Sequence, residues 1–587
     1  IYIGLEIQLK NYRSLTDFRK FQNSNTKTPP TVRQDSSGFA SPNGKRTSNL
    51  PLELLVLNRY GIGYPYLKAA WGISRKYDIP ASEVLIEAGI LSEPLWQEAQ
   101  SLLAREKAKS RTNFKARRVL LNGAINALRM TKPAYSAART FTRPQLAFLC
   151  LGTLSFLCLG IASFNYFVFS FALFLTIFYT ANILMRGMLL ADYEKGIQKT
   201  GSLVEFDEAN LPVYTVLVAL YEETAQVRPL TQHLWNLNWP KAKLDIKLVC
   251  EADDLETVAA VKDEQLPDCF DLVLVPPSKP RTKPKALNYA LPMAHGSFLV
   301  LYDAEDRPDP NQLREAYCRF VTSPPEVACL QAPLKIHNDS QSWLSRMFAI
   351  EYLTLFQGIL PILARWQVPL PLGGTSNHFR TNVLRSVGAW DPFNVTEDAD
   401  LGIRLFREGY RSETISSPTY EEAPSEWMPW LRQRTRWIKG WMQTILVHNR
   451  NPISFYRDVG LKNTIAFHLF LTSLVASVLI HPFFVAAFFY QLINLPFIMY
   501  DGIDTLIFGT SVFNLVGGYT TYGLLAYAVV SANGFRRFAT SILTLPIYWF
   551  LISIAGWRAF VHLIVKPHIW EKTPHGLARA KFSLTVV

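Results

Sequence analysis

The sequence predicts an α/β, Rossmann-like catalytic domain inserted between transmembrane helices, with a small helical module ahead of them. Three observations carry that expectation. Apolar residues crowd 146–188 and 464–565. Between 211 and 340, short β-branched runs alternate with helical stretches. Residues 1–140 are polar and basic by contrast. A chain of 587 residues also exceeds one ordinary core, so more than one domain is expected.

The formal net charge is +13. No nucleic-acid module accompanies it, so nucleic acid is not an expected partner. Much of the charge lies before the first apolar run, in Arg105, Lys107, Lys109, Arg111, Lys115, Arg117, Arg118, Arg129, Lys132, Arg139 and Arg143. Basic flanks are retained on the cytoplasmic side of membranes, which predicts a multi-pass protein of the cell inner membrane with a cytoplasmic catalytic domain. A solvated helix face is the alternative for some of these charges. Cys150, Cys158, Cys250, Cys269, Cys318 and Cys329 show no metal-type spacing, and reduced thiols suit a cytoplasmic domain. The first fifty residues are too polar for a signal peptide, and the chain opens on Ile1 rather than Met, as a truncated sequence would.

Residues 1–49 are rich in Ser, Thr, Asn, Pro and Lys and read as a disordered arm. Residues 50–115 read as a small helical module, possible seat of regulation. Within it, 82–89 is a short helix closed by Gly89, and Ser92 caps another with Pro94 in its first turn. Residues 146–162 and 166–184 are two apolar runs, each about the 17–25 residues that cross hydrocarbon. A catalytic domain is expected over 200–450. Its strands fall near 213–220, 244–250, 272–275 and 298–302, and a mostly parallel sheet of this kind binds ligands at the strands' carboxyl ends. Residues 342–362 and 428–446 mix aromatics, aliphatics and Arg and read as interfacial helices. The tail 464–565 holds three or four spans, near 464–480, 483–499, 506–531 and 541–565, depending on whether His481-Pro482 turns or kinks the chain. Residues 566–587 form a cytoplasmic C-terminal segment in the four-span reading.

Sugar transfer from a nucleotide needs a nucleotide cradle, a divalent cation and a base, and the sequence offers candidates in that order. Tyr221 and Glu223 follow the first strand, where a ring and carboxylates could stack and hold a base. Asp253 and Asp254 follow the second strand. Strand ends are often acidic for no such reason. Lys283 opens a helix containing Asn288, and its lysines could meet phosphate or only make a solvated start. Asp303 and Glu305 follow the fourth strand and could share Mg²⁺ or Mn²⁺, although an acidic helix start is an alternative. Glu397 and Asp398 supply a candidate base, with Gly373 and Gly374 just upstream. Gln433, Arg436 and Trp437 stand at i, i+3 and i+4, on one helical face. Arg could clamp a diphosphate and Trp could carry a sugar ring, or the face could simply anchor an interfacial helix.

This ordered set resembles the processive family 2 glycosyltransferases: cellulose, hyaluronan and chitin synthases and poly-N-acetylglucosamine synthases. The resemblance implies a GT-A fold and inverting, metal-dependent hexosyl transfer from a UDP-sugar to a growing polysaccharide among membrane lipids. UDP-glucose is the expected donor, with UDP-N-acetylglucosamine next. It implies nucleotide contacts from Tyr221, Glu223, Asp253, Asp254, Lys283 and Asn288 and metal ligation by Asp303 and Glu305, with Glu replacing the family's second Asp. It makes Asp398 the base and gives Gln433, Arg436 and Trp437 the Gln-x-x-Arg-Trp role. Gln331-Ala332-Pro333 would line the acceptor path, and Trp570 to Gly576 would close over the nucleotide. Residues 60–104 resemble the N-terminal domain of type II secretion ATPases, some relatives of which bind cyclic di-GMP. The usual Arg-Leu-Gly start is absent here, and cyclic di-GMP is not an expected ligand. Transfer of one sugar to a lipid carrier and an inactive scaffold are the alternative functions.

Overall fold

The structure, a computed structural model, describes residues 64–77, 79–195, 207–493 and 502–571, together with Leu54, Leu57 and Ile62. The expected arm 1–49, part of the 50–115 module, residues 494–499 and the segment 572–587 lie outside the described residues. The chain divides into two compact units, Ile1–Val119 and Leu120–Val587.

In the first unit, helices Tyr64–Tyr77 and Ala81–Glu87 and the start of Glu93–Thr131 enclose a core that includes Leu67, Ile73, Leu85 and Leu91. Pro80 precedes the second helix, and Gly89 ends its turn at φ 67°, a conformation that favours glycine.

The second unit is built on a seven-stranded mixed sheet. Its strands are β1 Tyr214–Leu220, β2 Leu244–Glu251, β3 Phe270–Val275, β4 Phe298–Tyr302, β6 Val327–Gln331, β8 Asn377–Arg380 and β9 Arg411–Thr414. They lie in the order β3-β2-β1-β4-β8-β6-β9. β5 Arg307–Pro308, β10 Thr419–Glu421 and β7 Leu334–Ile336 form a small second sheet in that order. β1, β2, β3 and β4 are parallel, while β8 runs antiparallel to β4 and β6. β2 is buried at every position and β1 at nearly every one. Central parallel strands covered on both faces therefore read as continuous apolar runs. The topology is GT-A-like, and the carboxyl ends of β1, β2 and β4 share one edge.

Among the described residues, six helices are long and apolar enough to cross a membrane: Arg143–Ala162, Tyr166–Glu194, Trp343–Arg365, Pro452–Ile493, Thr505–Ala532 and Leu545–Val565. The first starts on a capping box made by Thr142 and Gln145 and has no buried residue, as a lipid-facing helix would. Trp343–Arg365 is instead mostly buried and contains a π-helical turn at Thr354–Ile359. It packs close to Gly502–Ala532: a Cβ on Gly358 would stand 2.7 Å from a methyl of Val529.

Helix Ser473–Ile493 runs through Pro482, so His481-Pro482 does not turn the chain and the described residues on either side of it belong to one helix. The tail has three apolar helices among the described residues. Their ends are informative. Arg537 pairs with Asp339 of the catalytic domain at 2.7 Å, and Trp343 donates to Thr544 at 2.9 Å. At the far end of Leu545–Val565, Lys439 donates to the carbonyls of Lys566 and Ile569 at 3.2 and 2.7 Å. The two ends of this last helix are therefore tied to the helices Trp343–Arg365 and Trp427–His448. It lies along the helix Trp427–His448, where Tyr548 meets Arg434 at 3.1 Å. A helix lying along its neighbour in this way, rather than crossing, would leave both Arg536-Arg537 and Lys566 on one side.

In a variant whose six cysteines are replaced, Arg536→Cys and Lys566→Cys should react with a membrane-impermeant maleimide from the same face of sealed vesicles. Labelling from opposite faces would mean that Leu545–Val565 crosses.

Candidate active site

A cavity of about 370 Å³ opens at the shared strand edge. Tyr221 and Glu223 line one end of it. Between them Glu222 adopts a left-handed conformation, φ 54°, and does not line the cavity. Its N–H donates to Asp254 at 2.6 Å. That reversal turns both neighbours inward.

The structure gives Asp254 two structural tasks, since it also caps the helix Leu255–Asp263 through Thr257 N–H. Asp253 pairs with Arg281, which lines the cavity and donates to the Tyr221 hydroxyl at 3.0 Å. Neither acid lines the cavity itself. Glu251 does, but is tied to the buried Lys285 at 2.6 Å. Asn288 also lies elsewhere. It donates to the carbonyls of Ala124 and Trp390 and accepts from Trp390 N–H, fixing backbone rather than facing the cavity.

Lys283, Asp303 and Glu305 meet at the middle of the cavity. Lys283 forms an ion pair with Asp303 and donates to the Gly374 carbonyl at 2.7 Å. Burial alone would lower the Lys283 pKa, but Asp303, Glu397 and Asp306 hold it above its ordinary value. Asp306 faces away. It accepts from Asp303 N–H at 2.7 Å and from the Thr375 hydroxyl, and burial beside Asp303 and Glu305 pushes its carboxyl well up. Asp306 thus braces the turn that presents the other two. Among the described residues, no group of three or more His, Cys, Asp and Glu could hold a metal ion unaided. Two carboxylates facing a cavity still fit a hard divalent cation whose remaining ligands are phosphate oxygens. Asp303 and Glu305 are the residues that would hold it.

Glu397 and Asp398 begin the helix Glu397–Arg407 and line the cavity. Gly374 lies close against them: a Cβ there would stand 3.3 Å from Asp398 Oδ2, a tight contact. Burial raises the Asp398 carboxyl, partly offset by Ala399 N–H and by Lys283 and Arg436. Burial and the neighbouring Asp398 push Glu397 to about 7. The pair shares its titration, so both groups deprotonate above the ordinary carboxylate range.

Helix Trp427–His448 supplies Gln433, Arg436 and Trp437 to the same cavity. Gln433 Oε1 and Arg436 Nε are buried without a partner, as expected of groups that await a ligand. The Arg436 guanidinium lies 5.5 Å from the ring of Trp570, which also lines the cavity. Trp437 stacks with Tyr352, ring centres 6.1 Å apart, with Arg434 against it at 4.7 Å. Beyond Trp437 the wall becomes apolar, with Phe356, Trp441, Phe470, Leu474 and Tyr522. Gln331 does not line the cavity. It accepts from Gly373 N–H at 2.7 Å and donates to the Thr375 carbonyl at 3.0 Å, bracing the glycine loop from behind.

The sequence reading passed over Arg281, Glu351 and Glu421, all of which line the cavity. Arg281 stands two positions before Lys283, so that basic helix start was the available signal. Glu421 ends a three-residue strand that no apolar run announces.

Residues 298–565 match the family described as Glycosyl transferase family group 2. Similar proteins include a probable glycosyltransferase, YdaM, of Bacillus subtilis, 25% identical over 40% of this chain and 57% of that protein. Beta-monoglucosyldiacylglycerol synthase of a Nostoc species is 25% identical over 44% of this chain and 53% of its own. Glucomannan 4-beta-mannosyltransferase 2 of Arabidopsis thaliana is 22% identical over 40% and 46%. The chain spans about half the length of the curated relatives it matches. Among solved structures, the mannosyltransferase PcManGT of Pyrobaculum calidifontis, in complex with GDP-Man and Mn²⁺, aligns with a TM-score of 0.44 at 18% identity, covering 68% of this chain and 98% of its own.

Two predictions follow from the geometry around the acidic pair. A Cβ on Gly440 would stand 2.2 Å from Thr396 Oγ1, directly before Glu397. Gly440→Ala should cost about 1–3 kcal/mol by overpacking, read as a lower Tm, together with slower turnover. A rise in Tm, the usual result for glycine inside a helix, would contradict the contact. The acid limb of the pH–rate profile should lie above the ordinary carboxylate range, because burial raises the Asp398 carboxyl. Glu397→Gln removes a neighbouring negative charge and should move that limb to lower pH; an unmoved limb would separate the two carboxyls. Acids, lysine and arginine gather at one strand edge of a GT-A-like fold, and residues 298–565, through the last apolar helix, are similar to the family 2 glycosyltransferases.

Proposed function

We propose that the protein is an inverting polysaccharide synthase. It transfers a hexosyl unit from a UDP-sugar, UDP-glucose first among candidates, to the end of a growing β-glycan and passes the product toward its apolar helices. One observation carries this reading. A single cavity runs from the nucleotide-facing ends of β1 and β4, past Asp398, to an aromatic wall contributed by the helices Trp343–Arg365 and Trp427–His448 and the apolar bundle.

The roles follow the chemistry of each group. Tyr221 and Glu223 hold the base end of the donor, with Arg281 steadying the Tyr221 ring. Lys283, Gln433 and Arg436 bind the diphosphate, and the forked guanidinium suits its oxygens. Mg²⁺ or Mn²⁺ held by Asp303 and Glu305 would neutralise charge on the departing diphosphate. Asp398 accepts the proton of the acceptor hydroxyl. The hydroxyl oxygen bonds to the anomeric carbon as the bond from that carbon to the diphosphate oxygen breaks, and attack from the opposite face inverts the centre. Trp437 and Tyr352 give the acceptor sugar a flat apolar surface. The basic stretch before residue 143 supports a cytoplasmic placement of this chemistry at the cell inner membrane.

Transfer of a single sugar to a lipid is the second reading, favoured by the name of the glucosyldiacylglycerol synthase among the relatives. Product length separates the two. Membranes containing the protein should make a polymer from one member of a panel of UDP-glucose, UDP-N-acetylglucosamine and GDP-mannose, and chelation of divalent cations should abolish it. Asp398→Asn should lower turnover by about a hundredfold or more; undiminished synthesis would sink the base assignment. Trp437→Ala should shorten the product, and a single-sugar lipid from the unaltered protein would defeat processivity.

A further inference from the structure

A second cavity, of about 220 Å³, lies among the apolar helices. Phe164–Lys195, Ser473–Ile493, Gly502–Ala532 and Leu545–Val565 all contribute to its wall. Its lining is unexpectedly polar for that position and includes Asn182, Arg186, Ser473, His481, Asn514 and Tyr519.

Arg186 is the unusual member. One Nη donates to the Gly518 carbonyl at 3.1 Å, and the guanidinium lies 5.6 Å from the ring centre of Tyr522 and 5.3 Å from that of Trp549. Among the described residues no carboxylate pairs with it. The cavity has one acid in its lining, Glu351, and that acid is spent. Its two oxygens meet Arg434 at 2.6 Å and the Tyr548 hydroxyl at 2.8 Å. With Arg434 neutralised, the lining keeps one uncompensated positive charge. The Tyr179 hydroxyl in the same wall is buried without a partner. An unpaired cation among apolar helices is costly unless an anion completes it.

The outer surface next to this cavity is a groove of about 390 Å³ formed by Pro482, Phe483, Phe550, Ile554 and Trp557. These residues are apolar, and Phe483, Phe550, Ile554 and Trp557 are exposed. Ser553 lines both groove and cavity, so the two adjoin at this small side chain. Arg186 stands nine residues before the end of its helix at Lys195 (195 − 186), about 14 Å along the axis from that end.

We propose that this pair of sites binds an anionic membrane lipid. Its phosphate enters the cavity to Arg186, and its apolar chain lies in the groove beside Ser553. A zwitterionic lipid would bring a second cation to a cavity that has no free acid, and an uncharged lipid would leave Arg186 uncompensated. A free phosphate would leave the groove unused. The inference goes beyond the proposed glycan synthesis and does not rest on it, because binding is read without any sugar transfer.

The test is native mass spectrometry of the purified full chain in detergent, with added dioleoyl phosphatidic acid, dioleoylglycerol or inorganic phosphate. One phosphatidic acid per chain should bind at least tenfold more tightly than either other probe. Arg186→Gln should lose that preference, and Arg186→Lys should keep most of it. Ser477→Leu, which fills the cavity and leaves Arg186 in place, should weaken phosphatidic acid tenfold or more. If the arginine variant does not fold, Ser477→Leu and the three probes on the unaltered chain still decide. Equal binding of phosphatidic acid and dioleoylglycerol would overturn the proposal. So would phosphatidic acid binding that neither variant changes, which would mean a lipid on the outer surface only. Inorganic phosphate bound as tightly as the lipid would overturn the lipid assignment in favour of a free anion.

Discussion

Helix Trp427–His448 can lie against Thr396 because residue 440 has no side chain. Much of the site depends on that approach. Thr396 immediately precedes Glu397 and Asp398, and the same helix carries Gln433, Arg436 and Trp437. One close contact therefore sets the separation between the candidate base and the candidate diphosphate clamp. Further along, Gln443 accepts from Val395 N–H at 3.0 Å and donates to the Pro567 carbonyl at 3.0 Å. The acidic turn, the amphipathic helix and the C-terminal segment are thus locked to one another, and His568 adds a bond to the Phe393 carbonyl at 3.1 Å.

The electrostatics obey the same economy. Asp303, Glu305, Asp306, Glu397, Asp398 and Glu421 gather in a small volume, with Lys283 at the centre and Arg436 at the rim. So many buried carboxylates repel one another, which is why Asp306 and Glu421 are pushed well above the ordinary carboxylate range by burial and by their acidic neighbours. A cationic ligand or metal would relieve that repulsion, and a diphosphate would then be met by Lys283 and Arg436. The cavity is built to be completed by charge from outside the chain.

Much of this was legible in the sequence. The runs at 213–220, 244–250, 272–275 and 298–302 became β1 to β4 with shifts of at most two residues, because parallel strands covered on both faces are mostly apolar, although β2 also buries Asp245 and Lys247. Spacing alone placed Gln433, Arg436 and Trp437 on one face. What sequence could not separate was a cavity-facing acid from a structural one. Asp254 looked like a ligand, but a left-handed Glu222 claimed it for its N–H. Asn288 sits one helical turn beyond the pocket-facing start of its helix, and its amide is consumed by backbone from residues far away in the chain. Glu421 was invisible because its short strand exists only by pairing with β5 and β7, contacts that no local pattern encodes.

The last apolar helix has a consequence for how such chains are counted. Hydropathy registers segments, whereas topology depends on crossings, and the two need not share parity. Leu545–Val565 is as apolar as its neighbours, yet its two ends are tied to Trp343 and Lys439. An odd number of apolar tail helices is therefore compatible with a tail that begins and ends on one side.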